Sequence, residues 1–269
     1  MSRLHLHILG SGSKGNCALI EGPQGLIMVD DGLSRRETLK RMAELGLSAD
    51  NVSALFVTHE HSDHIKGLDV WCKHWRGPLF ASRNTLASKE SLAHVPVEEF
   101  DPGDVLEIAG VRIQTYSTSH DVINPVGYRF DALGDSIGFA TDTGELSSHA
   151  IDTLKDCRVL ALESNHDVAM LRQGDYPRFL QERILSAKGH LSNDQAANAA
   201  RELVTVRTEQ LIAMHISQDN NRPSLTVKSY ARALDATLDD ELGSTATRHS
   251  GSQQLTICPA GQYRPMTIQ

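Results

Sequence analysis

The chain has 269 residues, 40% of them hydrophobic and 5% aromatic, and 26 Lys and Arg against 34 Asp and Glu give a net charge of −8. That length suits one large α/β domain with an ample core; no apolar run approaches the roughly 18 residues of a membrane span, and the acidic balance argues against broad, sequence-independent binding of nucleic acid. The cysteines, Cys17, Cys72, Cys157 and Cys258, form no CxxC pair and read as free thiols, and the N-terminus runs into an alternating strand rather than a leader, so a cytoplasmic location is expected.

In chain order, strands are expected at 3–9, 17–21 and 25–30, with His5 and His7 on one solvated face of the first. Between the first two lies Gly10-Ser11-Gly12-Ser13-Lys14-Gly15-Asn16. A Gly-rich turn carrying a Lys can cradle a phosphate through backbone N–H groups, which makes Ser13, Lys14 and Asn16 candidate phosphate contacts. Ser34-Arg35-Arg36-Glu37 reads as a capping box opening a helix over 35–45, which Gly46 ends. The apolar strand 53–58 then delivers His59-Glu60-His61-Ser62-Asp63-His64. Four potential metal ligands within six residues are costly unless a cation sits among them, and imidazole with carboxylate suits zinc, manganese or iron.

Helices are expected at 65–75 and 83–93, with Trp71 and Trp75 packing at i and i+4 on the first. A strand over 105–117 leads to His120. Strands at 126–131 and 136–141 follow, the second ending at Asp142. The strand at 158–162 precedes Glu163-Ser164-Asn165-His166-Asp167. Arg172, Arg178, Arg183 and Lys188 form a basic cluster that suits equally a phosphate-facing rim or a solvated helix face. Gly189-His190 precedes a capping box, Ser192-Asn193-Asp194-Gln195, and a helix over 192–205. A strand at 210–214 ends at His215, and Pro223 suits the first turn of a helix over 224–238. The polar stretch 243–253 reads as a loop before a final hairpin, 254–258 and 263–268.

Each of Asp30, the hexapeptide, His120, Asp142 and His215 stands where an apolar strand stops, so strands would hold them while the site stays open to solvent. Taken in order, these motifs resemble the signature of the metallo-β-lactamase superfamily. With the 10–16 loop, Glu163, Gly189-His190 and the run after His215, the chain looks like the YycJ/WalJ-type branch, whose members resemble 5′-to-3′ exonucleases. The resemblance implies an αββα sandwich, two mixed sheets covered by helices, as one hydrolase domain over 1–269. It implies two divalent ions, zinc or manganese with iron as a further candidate. His59, His61 and His120 would hold one, Asp63, His64 and His215 the other, and Asp142 would bridge them, with a metal-bridging hydroxide as nucleophile. Asp63, Asp30 from behind the ligands, and His190 at the scissile phosphate are the catalytic candidates.

Only 48 residues separate Asp142 from His190, too few for the inserted cap domain of the β-CASP nucleases, so a more open site is expected. The function expected is a dinuclear phosphodiesterase, a 5′-to-3′ exonuclease on nucleic acid with DNA favoured, and no membrane partner. The alternative is a small-molecule (thio)ester or lactone hydrolase on the same fold. A class-B β-lactamase fits poorly, because the Asp63-His64 pair and Asp142 depart from that pattern.

Overall fold

The computed structural model describes residues 3–269, which divide into two compact units. The first holds residues 3–117, Val122–Asp135 and Gly261–Gln269. Its strands are β1 (His5–Gly10), β2 (Cys17–Gly22), β3 (Gly25–Val29), β4 (Val52–Val57), β5 (Leu79–Ser82) and β6 (Val97–Phe100). They form a sheet in the order of the labels, antiparallel from β1 to β3 and parallel from β3 to β6, and the last strand, Met266–Ile268, closes its β1 edge. The helices α1 (Arg35–Glu44), α2 (Ser62–Ile65) and α3 (Leu68–His74) belong to this unit. Met42, Leu68 and Trp71 pack with Leu19, Met28 and Leu55 in one buried cluster. Parallel strands buried on this scale need near-continuous apolar runs, as Leu26–Val29 and Ala54–Val57 supply.

The expected strand over 105–117 is a hairpin, β7 (Val105–Ile108) and β8 (Val111–Ser117), followed by the antiparallel β9 (Val126–Ala132). Ala109 and Gly110 make the turn at φ 51° and 75°, the mirror-image geometry that tight hairpins prefer. The inward positions change phase across the turn, from Leu106 and Ile108 to Val111 and Ile113, which marks two strands rather than one. The helix expected over 83–93 does not form. Turns and a short 3₁₀ segment, Glu90–Leu92, replace it, and Asn84 at φ 65° takes the chain out of any helical path.

The second unit comprises Thr118–Asp121 and Ser136–Ala260. Its strands are β10 (Asp135–Ala140), β11 (Val159–Glu163), β12 (Gln210–Met214), β13 (Thr237–Leu238), β14 (Ala246–Ser250) and β15 (Gln253–Pro259). β10, β11, β12 and β15 run parallel in that order, and β14 and β13 continue antiparallel. The helices are α4 (Ser148–Leu154), α5 (Val168–Gln173), α6 (Arg178–Leu185), α7 (Asn193–Leu203) and α8 (Pro223–Leu234). The Ser192–Gln195 capping box is complete and Pro223 stands in the first turn of α8, as expected. At Ser34 only half of a box forms, because the Glu37 side chain turns to Arg41 instead.

The ending differs from the expectation. The stretch 243–253 contains all of β14, and the last two strands do not pair with each other: β15 pairs β12 and β14, whereas Met266–Ile268 pairs β1. Proximity in sequence suggested a hairpin, but each strand finds its own unsatisfied edge. The Arg172–Lys188 stretch spans two short helices rather than one face, with Arg172 bonded to Glu182 and Arg183 held on Asp121. No described helix is long and apolar enough to cross a membrane.

Candidate functional site

In the first unit Asp30 directly follows β3 and Thr58 directly follows β4, and the hexapeptide comes next. The buried Asp30 carboxylate accepts from the backbone N–H of Thr58 at 2.8 Å, from the Thr58 hydroxyl at 2.8 Å and from His64 Nδ1–H at 2.7 Å. His59 Nδ1 in turn lies 3.0 Å from the Thr58 hydroxyl. Because Thr58 gives its proton to Asp30, it accepts from His59, and both rings carry their N–H at Nδ1 with the lone pair at Nε2. Burial pushes the Asp30 carboxyl up, while the charge and hydrogen bond of His64 and the bonds from Thr58 pull it down; burial prevails. The rings of His59 and His64 are 4.1 Å apart and those of His59 and His61 4.8 Å apart.

The 10–16 loop fastens onto this set. Asn16 Nδ2 donates to Asp63 Oδ2 at 3.1 Å and to His64 Nε2 at 3.0 Å, its Oδ1 accepts from Gly12 N, and its backbone N–H donates to the Asp63 carbonyl at 2.7 Å. Asn16 is buried and committed to Asp63 and His64, whereas Ser13 and Lys14 are exposed. Gly32 lets the segments meet: a Cβ there would stand 1.6 Å from the Asp63 carbonyl oxygen. Behind the loop, burial pushes the Asp31 carboxyl up to about 7, against the hydrogen bond from Thr38.

In the second unit Glu163, fully buried at the end of β11, is the hub. Its Oε1 accepts from His190 Nδ1 at 2.7 Å and from His215 Nδ1 at 3.1 Å, and its Oε2 accepts backbone N–H groups of Thr143 at 2.8 Å and Leu191 at 3.3 Å. Burial alone would raise its pKa, but the His190 charge and the hydrogen bonds from His190 and His215 hold it below the ordinary carboxylate range. Asp142 Oδ1 lies 3.4 Å from His215 Nδ1, 3.6 Å from His190 Nδ1 and 4.0 Å from His120 Nε2. His120 Nδ1–H donates to the Gly189 carbonyl at 3.0 Å. Donor atoms of Asp142, Glu163, His190 and His215 all fall within 4.8 Å of one another.

The donor chemistry fits divalent metal. His59, His64, His120 and His215 each direct Nδ1 to an acceptor, which fixes the tautomer with its lone pair at Nε2, the arrangement that orients imidazole ligands, and His190 directs Nδ1 to Glu163 in the same way. Two carboxylates buried among imidazoles likewise call for compensating positive charge.

Sequence reasoning did not find Thr58 or the Gly189 carbonyl, whose roles exist only through partners distant in sequence, and it left Glu163 without a role. His166 is fully buried, and neither ring nitrogen has a hydrogen-bond partner among the described residues. Burial lowers its pKa to about 4, partly opposed by the Glu163 charge. Trp71 is buried and Trp75 half-buried against the core, as packing residues.

The sequence model of the β-lactamase superfamily domain matches residues 26–216. An exodeoxyribonuclease YycJ of Bacillus anthracis is 36% identical over 236 residues, 86% of this chain and 89% of the relative. An exodeoxyribonuclease WalJ of Streptococcus pneumoniae is 33% identical over 220 residues, 80% of this chain and 82% of the relative. Among solved structures, the metallo-β-lactamase fold protein YhfI of Bacillus subtilis aligns with a TM-score of 0.71 at 14% identity, covering 99% of this chain and 100% of that one. A diphosphatase of the PhnP family aligns at 0.62 and 18%, covering 99% and 98%; these two likenesses speak for the fold. Mixed sheets with helices are the architecture of that fold, and the chain belongs to the metallo-β-lactamase-fold superfamily, in its YycJ/WalJ branch.

Proposed function

We propose that this protein is a metal-dependent exodeoxyribonuclease that degrades DNA from a 5′ end, working as a single hydrolase domain in the cytoplasm. The observation that carries the reading is the Nδ1 anchoring of five histidines, together with similarity to two proteins named exodeoxyribonucleases along most of their length. Two ions, zinc or manganese, would be held by His59, His61 and His120 and by Asp63, His64 and His215, with Asp142 shared. Bound there, they would supply Lewis acidity at the phosphate and lower the pKa of water.

The protein's own groups do the rest. Asp30 and Thr58 hold the rings of His59 and His64, the Gly189 carbonyl holds His120, and Glu163 holds His215. Asn16 positions Asp63. Glu163 also fixes His190 with Nδ1–H inward; with a second proton on Nε2, the His190 imidazolium donates to the scissile phosphate and passes that proton to the leaving 3′ oxygen. His190, 19% exposed at its side chain against 0% for Glu163, is the member of that pair that a substrate reaches. Ser13 and Lys14, exposed on the loop that carries Asn16, are proposed to receive the terminal phosphate.

The test is an end-labelling experiment. Protein loaded with zinc or manganese is given DNA and RNA strands carrying a 5′-phosphate or a 5′-hydroxyl, labelled at either end. The expected result is release of 5′-labelled mononucleotides from DNA before any 3′ label. Intact DNA and RNA alongside rapid cleavage of a thioester or lactone would replace this reading with that of a small-molecule hydrolase.

A further inference from the structure

His5 and His7 were expected to be solvated, but His7 is only 3% exposed. Successive odd positions on a strand share a face, and on that face β1 meets its two neighbours. Register sets Glu21 of β2 opposite His5, and Thr267 of the last strand opposite His7. The result is a row of polar side chains across three strands of one sheet. Glu21 Oε2 lies 3.1 Å from His5 Nδ1 and 3.1 Å from His7 Nε2, and the three donor atoms fall within 4.8 Å of one another. His7 Nδ1 is 2.9 Å from the Thr267 hydroxyl. The two rings stand at 82° to each other, converging from different directions on the same oxygen.

We propose that His5, His7 and Glu21 form a separate binding site for a divalent transition ion of the zinc class, with three protein ligands and an open position. Two imidazoles and one carboxylate are a donor set that zinc takes. At bonds of about 2.0–2.1 Å the donors of a tetrahedral ion stand ~3.3 Å apart, close to the 3.1 Å observed for two edges. His7 has the outer support that oriented imidazole ligands need: with an ion in place of the Nε2 proton that otherwise bonds Glu21, Nδ1–H donates to Thr267 and the Nε2 lone pair faces the ion. The protonation states suit an ion. Burial keeps the His7 ring more readily neutral, outweighing Glu21. For Glu21, burial would raise the carboxyl, but the hydrogen bonds from His7 and His5 hold it low and ionised. His5 and Glu21 are partly exposed, with side chains 31% and 45% accessible, so solvent or a further donor reaches the fourth position. An ion here joins β1 to β2 directly and to the C-terminal strand through Thr267, and β1 leads into the loop that carries Asn16. Its role is to fasten the edge of the sheet, and it does not depend on the nuclease reading.

The site is tested on the full chain by stripping metal with a chelator, dialysing to equilibrium against micromolar free zinc and counting zinc per chain by elemental analysis. His5→Gln and Glu21→Gln alter partly exposed positions, and circular dichroism checks that both variants fold. Each should hold one zinc fewer than the wild type, show a smaller zinc-induced rise in unfolding temperature, and keep its rate on DNA. Zinc counts equal to the wild type in both variants would overturn the proposal and leave a triad closed by protons, with Nε2–H of His7 and Nδ1–H of His5 both donating to Glu21. Loss of all zinc from folded variants would also overturn it, because the cluster would then not be a separate site.

Discussion

Glu163 Oε1 accepts from both His190 Nδ1, at 2.7 Å, and His215 Nδ1, at 3.1 Å, so one buried carboxyl oxygen orients two imidazoles. Glu163→Gln keeps the size but removes the charge and replaces one oxygen by a donor. Partners behind metal ligands and catalytic rings matter on the scale of about 10–100-fold in metal affinity or activity. The expected outcome is a loss of that order in rate on DNA with a measurable weakening of zinc affinity. Wild-type values of both would remove Glu163 from its orienting role.

His190 is expected to separate from the ligands. His190→Ala should retain the wild-type metal content and lose about 10²–10⁴-fold in rate, the scale for a positioned acid or base. The loss should be smaller on an activated ester whose leaving group needs no proton. Elemental analysis alongside single-turnover rates checks this; a missing metal would make His190 a ligand.

Asp63→Ala and Asp142→Ala should each abolish turnover and lower metal content while the fold persists, as followed by circular dichroism. Asp63 is held by Asn16, and Asp142 sits among His120, His190 and His215. Near-normal hydrolysis in either variant would show that its carboxylate is dispensable.

His166 makes stability pH-dependent. Buried, it stays neutral in the folded protein down to about pH 4, whereas the unfolded chain takes up the proton near 6.5. Between those values the unfolded state binds more protons, so stability falls as pH falls through that window and levels off below it. The size is about 3 kcal/mol from the gap between the two values. Urea unfolding of chelator-treated protein should show this fall, and His166→Gln should flatten it by a comparable amount. An unchanged slope in the variant would place the titration elsewhere.

Much of this was written locally in the sequence. Leu26–Val29, Ala54–Val57 and Gln210–Met214 read as strands from composition alone, and the donors at their ends followed from position. The helices around 35–45, 192–205 and 224–238 were legible from their first-turn signals, Ser34, Ser192 and Pro223. Short helices such as α4–α6 were not, because about two turns carry too little periodicity to stand out. The strand β14 was hidden because its residues are mostly polar and only Ala246 is buried.

The sequence by itself determined the order of strand-end donors, the His-rich hexapeptide and thereby the family. Those are properties of neighbours along the chain, set by alternation and by the few residues that follow a strand. Tertiary structure alone decided which nitrogen each ring presents, because the deciding partners lie far away: Asp30 is 34 residues from His64, and Glu163 is 27 from His190 and 52 from His215. It also decided that Asp30, Asp142 and His215 leave their strands at φ 59°, 52° and 51°. A non-glycine residue adopts that left-handed backbone only where surrounding contacts hold it, and no local signal announces it. The pairing of His5 and His7 with Glu21 has the same origin, since the register of β1 against β2 and the last strand exists only once the sheet has formed.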